Sequence, residues 1–175
     1  MIPLSIPHLG GNELKYVTDC IEAGWVSSAG SYVTQFENKV AEFAGCKYGV
    51  AASSGTSGLH LAMHMLGIEE GDVVIVPNIT FIASANAVAY TNATPVFIDV
   101  DPDTWQMDLD LLENFLEKET FIAEDSEGRE AVRTCSHLKA DGRAIGAILP
   151  VHVLGNMCDM GRLVEICNKY HISIV

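Results

Sequence analysis

The sequence predicts an α/β protein, a three-layer α/β/α sandwich built on a mostly parallel sheet. Three observations carry this. Short apolar runs such as residues 73–76 and 144–149 are continuous rather than alternating, as parallel strands covered on both faces require. These runs alternate with stretches of helical periodicity from residue 48 to residue 175. Glycine, proline and aspartate mark the junctions, as in Gly71-Asp72, Pro77-Asn78 and Asp101-Pro102-Asp103.

The elements follow in order. Residues 1–10 are an extended arm with Pro3, Pro7 and Gly10. A helix is expected over about 12–23, with Leu14, Val17 and Ile21 on one face and Gly24 as its stop. The loop 24–30 begins with Trp25. A second helix over 31–44 carries Val33, Phe36, Val40 and Phe43 as an apolar stripe and stops at Gly45. These pieces make residues 1–45 an N-terminal arm with two helices. A strand over 48–52 is expected to run into a helix over about 56–66. Strand 73–76, an alanine-rich helix over 79–90, strand 94–100 and a helix over 108–118 come next. Strand 144–149, helix 160–170 and a last strand over 171–175 complete the alternation. Residues 119–143 break it, being polar and charged. They read as an exposed insertion with a β-hairpin around Phe121-Ile122-Ala123 and Ala131-Val132-Arg133.

With 175 residues, 49% of them hydrophobic, the chain has material for one domain with a sizeable core rather than two. A net charge of -13 without a basic run argues against nucleic acid and against an anionic membrane surface. The five cysteines are odd in number and form no CxxC pair, which suits free thiols in a reducing compartment. Met1-Ile2-Pro3-Leu4-Ser5 lacks the basic start and apolar run of a signal peptide, and no segment approaches a membrane span. A cytoplasmic location is expected. Residues 171–175 read as a buried strand at which the sequence stops, so the 175 residues are expected to be part of a longer polypeptide.

The stretch richest in chemistry is Ser53-Ser54-Gly55-Thr56-Ser57-Gly58. A helix that starts here has free N–H groups and partial positive charge at its first turn. Hydroxyls from Ser54, Thr56 and Ser57 add donors, and Gly55 and Gly58 let a ligand approach the backbone. Two readings stand side by side: a seat for a phosphate, and an ordinary serine-capped helix. Ligands of such sheets bind beyond the carboxyl ends of the strands. Phe81 follows one such end, where it could stack on a flat ring or belong to the core. His152, after another, could line a site or cap the next helix. Trp25 carries the same ambiguity as Phe81. His60 and His64 have the i, i+4 spacing of a metal pair but no third ligand in sight, so no metal site is assigned. P-loop, GxGxxG and GxSxG patterns are absent.

Several segments together resemble one family. Ser54-Gly55-Thr56-Ser57-Gly58-Leu59-His60-Leu61-Ala62 is followed by Pro77-Asn78-Ile79-Thr80-Phe81-Ile82-Ala83. Then come Ala93-Thr94-Pro95-Val96-Phe97-Ile98-Asp99-Val100 and Pro150-Val151-His152-Val153-Leu154-Gly155. Ile6-Pro7, Gly24-Trp25-Val26-Ser27 and Phe36-Glu37 open the series. The set is similar to the DegT/DnrJ/EryC1/StrS sugar aminotransferases, which use pyridoxal 5'-phosphate (PLP) on the aspartate-aminotransferase fold. Within that family the 119–143 insertion and its flank look most like the branch acting on UDP-linked 4-keto-6-deoxy-N-acetylhexosamines in legionaminic acid-type pathways.

The resemblance implies that residues 1–175 are the N-terminal part of the PLP-binding large domain. It implies that Gly55, Thr56 and Ser57 hold the cofactor phosphate and that Phe81 stacks on the pyridine ring. Trp25, Ser27, His152 and Asn156 fall where the family contacts substrate or orients the cofactor. The implied reaction moves an amino group from an amino acid, glutamate in the first instance, to a 4-keto-6-deoxy nucleotide sugar. The implied assembly is a homodimer. In the family the aspartate that pairs with the pyridinium nitrogen and the Schiff-base lysine match positions beyond Val175. No catalytic residue is therefore assigned here, and the 175-residue chain by itself is expected to be inactive. Two alternatives remain at this stage: a non-catalytic sensor or regulator of the same fold, and a stand-alone α/β domain that binds a phosphorylated ligand.

Overall fold

Val73, Val74, Ile75 and Val76 are apolar and β-branched without interruption, and all four are buried. They lie in strand β1 (Val73–Pro77), an inner strand of a four-stranded sheet. The computed structural model describes residues 2–3, 5–125 and 132–175. The chain divides into two units, Met1–Ala51 and Ala52–Val175.

The first unit holds helices α1 (Glu13–Glu22) and α2 (Ser31–Ala44). Gly45 ends α2 in the left-handed region at φ 67°, which glycine adopts without a Cβ penalty. The helices meet through Tyr16 and Tyr32, with ring centroids 5.0 Å apart. The Tyr32 hydroxyl donates to Asp19 Oδ2 at 2.9 Å, and this bond to a carboxylate raises the phenol's pKa above its ordinary value. The expected apolar stripes are present, but Val17, Ile21, Phe36 and Phe43 are exposed and Ala41 alone is buried in α2.

One expectation fails here. Residues 48–52 form no strand. The Ala51 N–H donates to the Glu37 carboxylate at 2.9 Å rather than to a strand neighbour. Gly49 lies so close to α2 that a Cβ there would sit 2.5 Å from the Glu37 carbonyl oxygen. Backbone groups held this way are not free for a ladder.

The second unit is the α/β body. Its elements run α3 (Gly55–Met65), β1, α4 (Ile82–Tyr90), β2 (Thr94–Ile98) and α5 (Leu109–Glu119). A hairpin follows, β3 (Thr120–Asp125) and β4 (Arg133–Leu138). Then come β5 (Ile145–Ile148), a 3-10 turn (Val153–Gly155), α6 (Met160–Tyr170) and β6 (Ser173–Ile174). The sheet order is β2-β1-β5-β6 and every pair is parallel. The expected α/β class and parallel sheet are therefore present.

Alternate residues of the strands serve opposite faces. Val73, Ile75, Ile145 and Ile148 pack with Leu112 and Leu116 of α5 and Leu163 and Ile166 of α6. Val74, Val76, Ala147 and Leu149 pack with Met63 of α3 and Ala87 and Val88 of α4. Each fully buried leucine or isoleucine contributes about 1.5–3 kcal/mol by removal from water. Gly146 is the extra residue at a register shift between β1 and β5. A Cβ on it would lie 2.4 Å from Ile68 Cδ1, so a side chain here would displace the tip of that buried isoleucine.

Helix boundaries agree within a residue or two except at α4, which starts at Ile82 rather than 79. The Thr80 and Ser84 hydroxyls bond at 2.8 Å, and Phe81 stays extended (φ -69°, ψ 141°) as the N-cap residue. The 119–143 segment does form an antiparallel hairpin, from Thr120↔Leu138 to Asp125↔Arg133. Gly128 and Ala131, also assigned to it from sequence, lie outside the described residues. Exposure holds for part of it only: Cys135, Ser136, His137 and Leu138 are buried. Ser136 Oγ donates to the Tyr170 carbonyl at 2.6 Å, which ties β4 to the end of α6. Among the described residues no helix is long and apolar enough to cross a membrane.

Candidate functional site

The strand order sets the place. From β1 the chain moves to β2 on one side, then returns to β5 on the other side of β1 and continues to β6. The direction of winding reverses between β1 and β5. Open parallel sheets bind ligands in the crevice at such a reversal, beyond the carboxyl ends. The segments there are Pro77-Asn78-Ile79-Thr80-Phe81 after β1 and Leu149-Pro150-Val151-His152 after β5. Helix α3 precedes β1 through a short connection and packs on the same face as α4. Its first residue therefore lies at this end of the sheet.

At that helix start, Ser54 is extended (φ -160°, ψ 163°) and its Oγ accepts the Ser57 N–H at 3.2 Å. The hydroxyls of Ser53 and Ser54 lie 3.2 Å and 3.0 Å from that of Ser57. The serine cap read from the sequence is real. It satisfies one amide and leaves those of Gly55 and Thr56 without an intrahelical acceptor. Ser53, Ser54, Gly55 and Ser57 are exposed, so the turn is open to solvent. A Cβ built on Gly55 or Gly58 would meet nothing within 4 Å. Two outward amides, a cluster of hydroxyls, no carboxylate in the turn and open space in front fit a dianionic phosphate.

Phe81 stands at the head of α4 and is 79% exposed, so it takes no part in the core of the described residues. Helices α3 and α4 share a face of the sheet, and the rings of His60 and Tyr90 meet edge-on at 5.9 Å between them. The open serine-capped turn and the exposed aromatic are thus the leading ends of two neighbouring helices. His60 is engaged with Tyr90, and among the described residues no group of three metal-ligating side chains occurs.

His152 is exposed, and its Nδ1 accepts the Cys158 N–H at 3.3 Å. It does not cap α6; Asp159 does, accepting the Arg162 N–H at 3.1 Å. Asn156 is exposed and its Nδ2 donates to the Thr104 carbonyl at 3.2 Å. Trp25 and Ser27 belong to the other unit. Trp25 is about half exposed and lines a cavity of about 440 Å³ between α1 and α2, with Tyr16, Ile21, Tyr32 and Phe36. Ser27 Oγ accepts the Ala29 N–H at 3.5 Å.

Sequence reasoning missed Gln106, which is 3% exposed despite its polar side chain. Its Oε1 accepts the Val153 N–H at 3.3 Å, and its Nε2 donates to the Val153 carbonyl at 3.4 Å and the Thr104 carbonyl at 3.3 Å. The loop that carries it is braced by Asp101, whose Oδ1 accepts the Asp103 and Thr104 N–H groups at 3.0 and 2.8 Å. The bonds from Thr104 hold the Asp101 carboxyl below the usual carboxylate range. A glutamine among turn residues carries no local signal of burial.

The chain matches the DegT/DnrJ/EryC1/StrS aminotransferase family over residues 7–175. It is 39% identical over 174 residues to GDP-perosamine synthase of Escherichia coli O157:H7, an alignment covering 99% of this chain and 41% of that protein. Among solved structures it resembles the aminotransferase from Psychrobacter cryohalolentis, with TM-score 0.76, 29% identity and coverage of 98% of this chain and 38% of that one. It also resembles NtdA from Bacillus subtilis, solved with the cofactor PMP bound, with TM-score 0.69, 26% identity and coverage of 92% and 31%. The chain spans about two fifths of the length of the curated relatives it matches. With a match that spans nearly the whole sequence and an α/β body of the same kind, the chain belongs to the DegT/DnrJ/EryC1/StrS aminotransferase family.

Proposed function

We propose that this chain is the phosphate-binding part of the large domain of a PLP-dependent nucleotide-sugar aminotransferase. The complete polypeptide transfers an amino group from an amino acid, glutamate in the first instance, to a 4-keto-6-deoxy nucleotide sugar. The observation that carries this reading is the open start of α3 beside the exposed ring of Phe81 at the winding reversal of the sheet.

When bound, the cofactor supplies the carrier for the amino group and a ring that absorbs carbanion charge. This chain's residues do the holding. The Gly55 and Thr56 amides and the Ser57 hydroxyl bind the phosphate, with the α3 dipole favouring its charge. The exposed Phe81 would cover one face of the ring and keep water from it. His152 and Asn156 line the substrate side. None of the chain's lysines is given a chemical role: Lys169 pairs with Glu113 at 2.9 Å, and Lys139 donates to the Lys118 carbonyl at the end of α5.

The activity belongs to the complete polypeptide, which we read as a cytoplasmic homodimer; the 175 residues alone are proposed to be inactive. The test is to purify the complete polypeptide, record its absorbance with PLP, and supply glutamate with 4-keto-6-deoxy sugars. GDP-linked sugar comes first, because a relative is named GDP-perosamine synthase, and UDP-linked sugar second, from the motif resemblance. A bound-cofactor absorbance band and an amino sugar product are expected. A polypeptide that binds no PLP and aminates neither sugar would overturn the reading.

A further inference from the structure

We propose that Gln106 is a positioning residue, which staples the turn after β5 so that His152 presents a fixed Nε2–H donor to the ligand. The inference rests on the proposed function only in taking this end of the sheet as ligand-facing.

Three observations converge. First, the buried Gln106 amide takes both backbone groups of Val153, the residue immediately after His152. The Val153 N–H also donates to the Val151 carbonyl at 3.0 Å and its carbonyl accepts the Asn156 N–H at 3.1 Å, so the Gln106 side chain adds a tertiary anchor to a locally bonded turn. Its Nε2 also bonds the Thr104 carbonyl, which accepts the Asn156 amide as well. The loop 101–106 thus grips the 152–156 turn at both ends.

Second, two bulky residues in these loops have left-handed backbones, Trp105 at φ 63° and Leu154 at φ 55°. Both are exposed, so burial of their side chains does not hold them there. Such conformations persist when the surroundings over-determine them. Here the surroundings are the Gln106 and Asn156 bonds on one side and Asp101 on the other. Asp101 exchanges backbone bonds with this loop, its N–H donating to the Gln106 carbonyl at 2.9 Å and its carbonyl accepting the Trp105 N–H at 2.8 Å.

Third, the turn decides the state of an imidazole. His152 Nδ1 accepts a backbone N–H from Cys158, so that nitrogen carries no proton. In the neutral ring the proton sits on Nε2, which makes the exposed edge a donor toward an oxygen. Keeping Nδ1 on Cys158 requires the chain between them to hold its shape; the turn's own backbone bonds shape it locally, and Gln106 ties it to the 101–106 loop.

The test uses the complete polypeptide labelled with 15N-histidine, with the His152 signals identified by their loss in His152→Ala. In the wild type, Nδ1 is expected in the unprotonated range and Nε2 in the protonated range. Gln106→Met keeps the volume and removes the amide's three hydrogen bonds to Val153 and Thr104, and the two nitrogens are then expected to average between tautomers. Gln106→Glu keeps the acceptor and loses the donor, and serves if the methionine variant does not fold. On the keto sugar, Gln106→Met is expected to raise KM about tenfold, a typical coupling between neighbours, and to add nothing in a His152→Ala background. A lowered melting temperature with unchanged His152 signals overturns the proposal, because a purely structural glutamine would do that. Shifted signals in a polypeptide that aminates no sugar support the staple and count against the proposed function alone.

Discussion

Arg133 on the return strand of the hairpin grips Asp72 at the start of β1, with Nη2 at 3.1 Å from Oδ1 and 3.3 Å from Oδ2. Asp72 is 2% exposed, so its carboxylate is held inside the protein with a guanidinium against it. It also accepts the Glu69 N–H at 3.1 Å, which shapes the turn between α3 and β1. The same arginine bonds Asp125 through Nε at 3.3 Å, across from it on β3. One side chain therefore joins both hairpin strands, β3 and β4, to the foot of the main sheet.

Removing that cation should be expensive. Arg133→Leu takes this guanidinium from the buried Asp72 carboxylate and should destabilise the protein by up to about 3 kcal/mol. In an Asp72→Asn background the same substitution should cost less, because no buried charge remains. Urea unfolding of the four proteins measures the difference. Equal costs in both backgrounds would show that the pair contributes only packing.

Much of the fold was legible because local and long-range preferences agree. Residues 160–170 have helical periodicity, an aspartate cap and an apolar face, and α6 spans Met160–Tyr170. The expected strand over 48–52 failed because Glu37, distant in sequence, captures the Ala51 amide, and no local pattern encodes that. The serine-capped start of α3 was legible since glycine and serine before a helix have a mechanism of their own. Phe81 was not, because an aromatic residue announces neither exposure nor burial. Gln106 was least legible of all: its partner Val153 lies 47 residues later, and its burial exists only once the two loops meet.

The exposure of Phe81 separates folding from ligand binding. A side chain that is 79% exposed contributes little to the core, so Phe81→Ala should change stability by no more than about 0.5 kcal/mol. Loss of the ring should nevertheless weaken cofactor retention in the complete polypeptide, read as PLP lost on dialysis. A large drop in the melting temperature would contradict the exposed placement, and unchanged retention would contradict the stacking role.

Acid should loosen the α5–α6 surface. Lys169 and Arg162 lie 2.9 and 3.5 Å from Glu113, and Arg162 also pairs with Asp110. The bond from Lys169, followed by its charge, holds the Glu113 carboxyl below its ordinary 4.5. A depressed folded-state value means the contribution is present above about pH 4.5 and is lost as pH falls through the lower folded value. Lys169 is raised above 10.5, mainly by its bond to Glu113, so its share is lost only as pH rises past that raised value. Glu113→Gln should flatten the acid limb of stability against pH, and 1 M salt should shrink the wild-type effect. The check is the urea midpoint at pH 6 and pH 3; an acid limb equally steep in both proteins counts against the network.

Gly55 offers the sharpest test of the seat, because nothing in the packing of the described residues requires glycine there. It is absent from the residues with positive φ, and a Cβ on it would meet no atom within 4 Å. Leucine is also a better helix former than glycine, by up to about 1 kcal/mol in a helix interior and less at a first turn. Gly55→Leu should therefore fold with a melting temperature equal to or slightly above the wild type. The same side chain would occupy the open space before the Gly55 and Thr56 amides, where a phosphate has to sit. The complete polypeptide carrying it should lose PLP on dialysis, while Ser54→Ala should cost about 1 kcal/mol of stability through the broken cap. If Gly55→Leu retains PLP as the wild type does, the phosphate lies elsewhere, and the open end of α3 is only a capped helix.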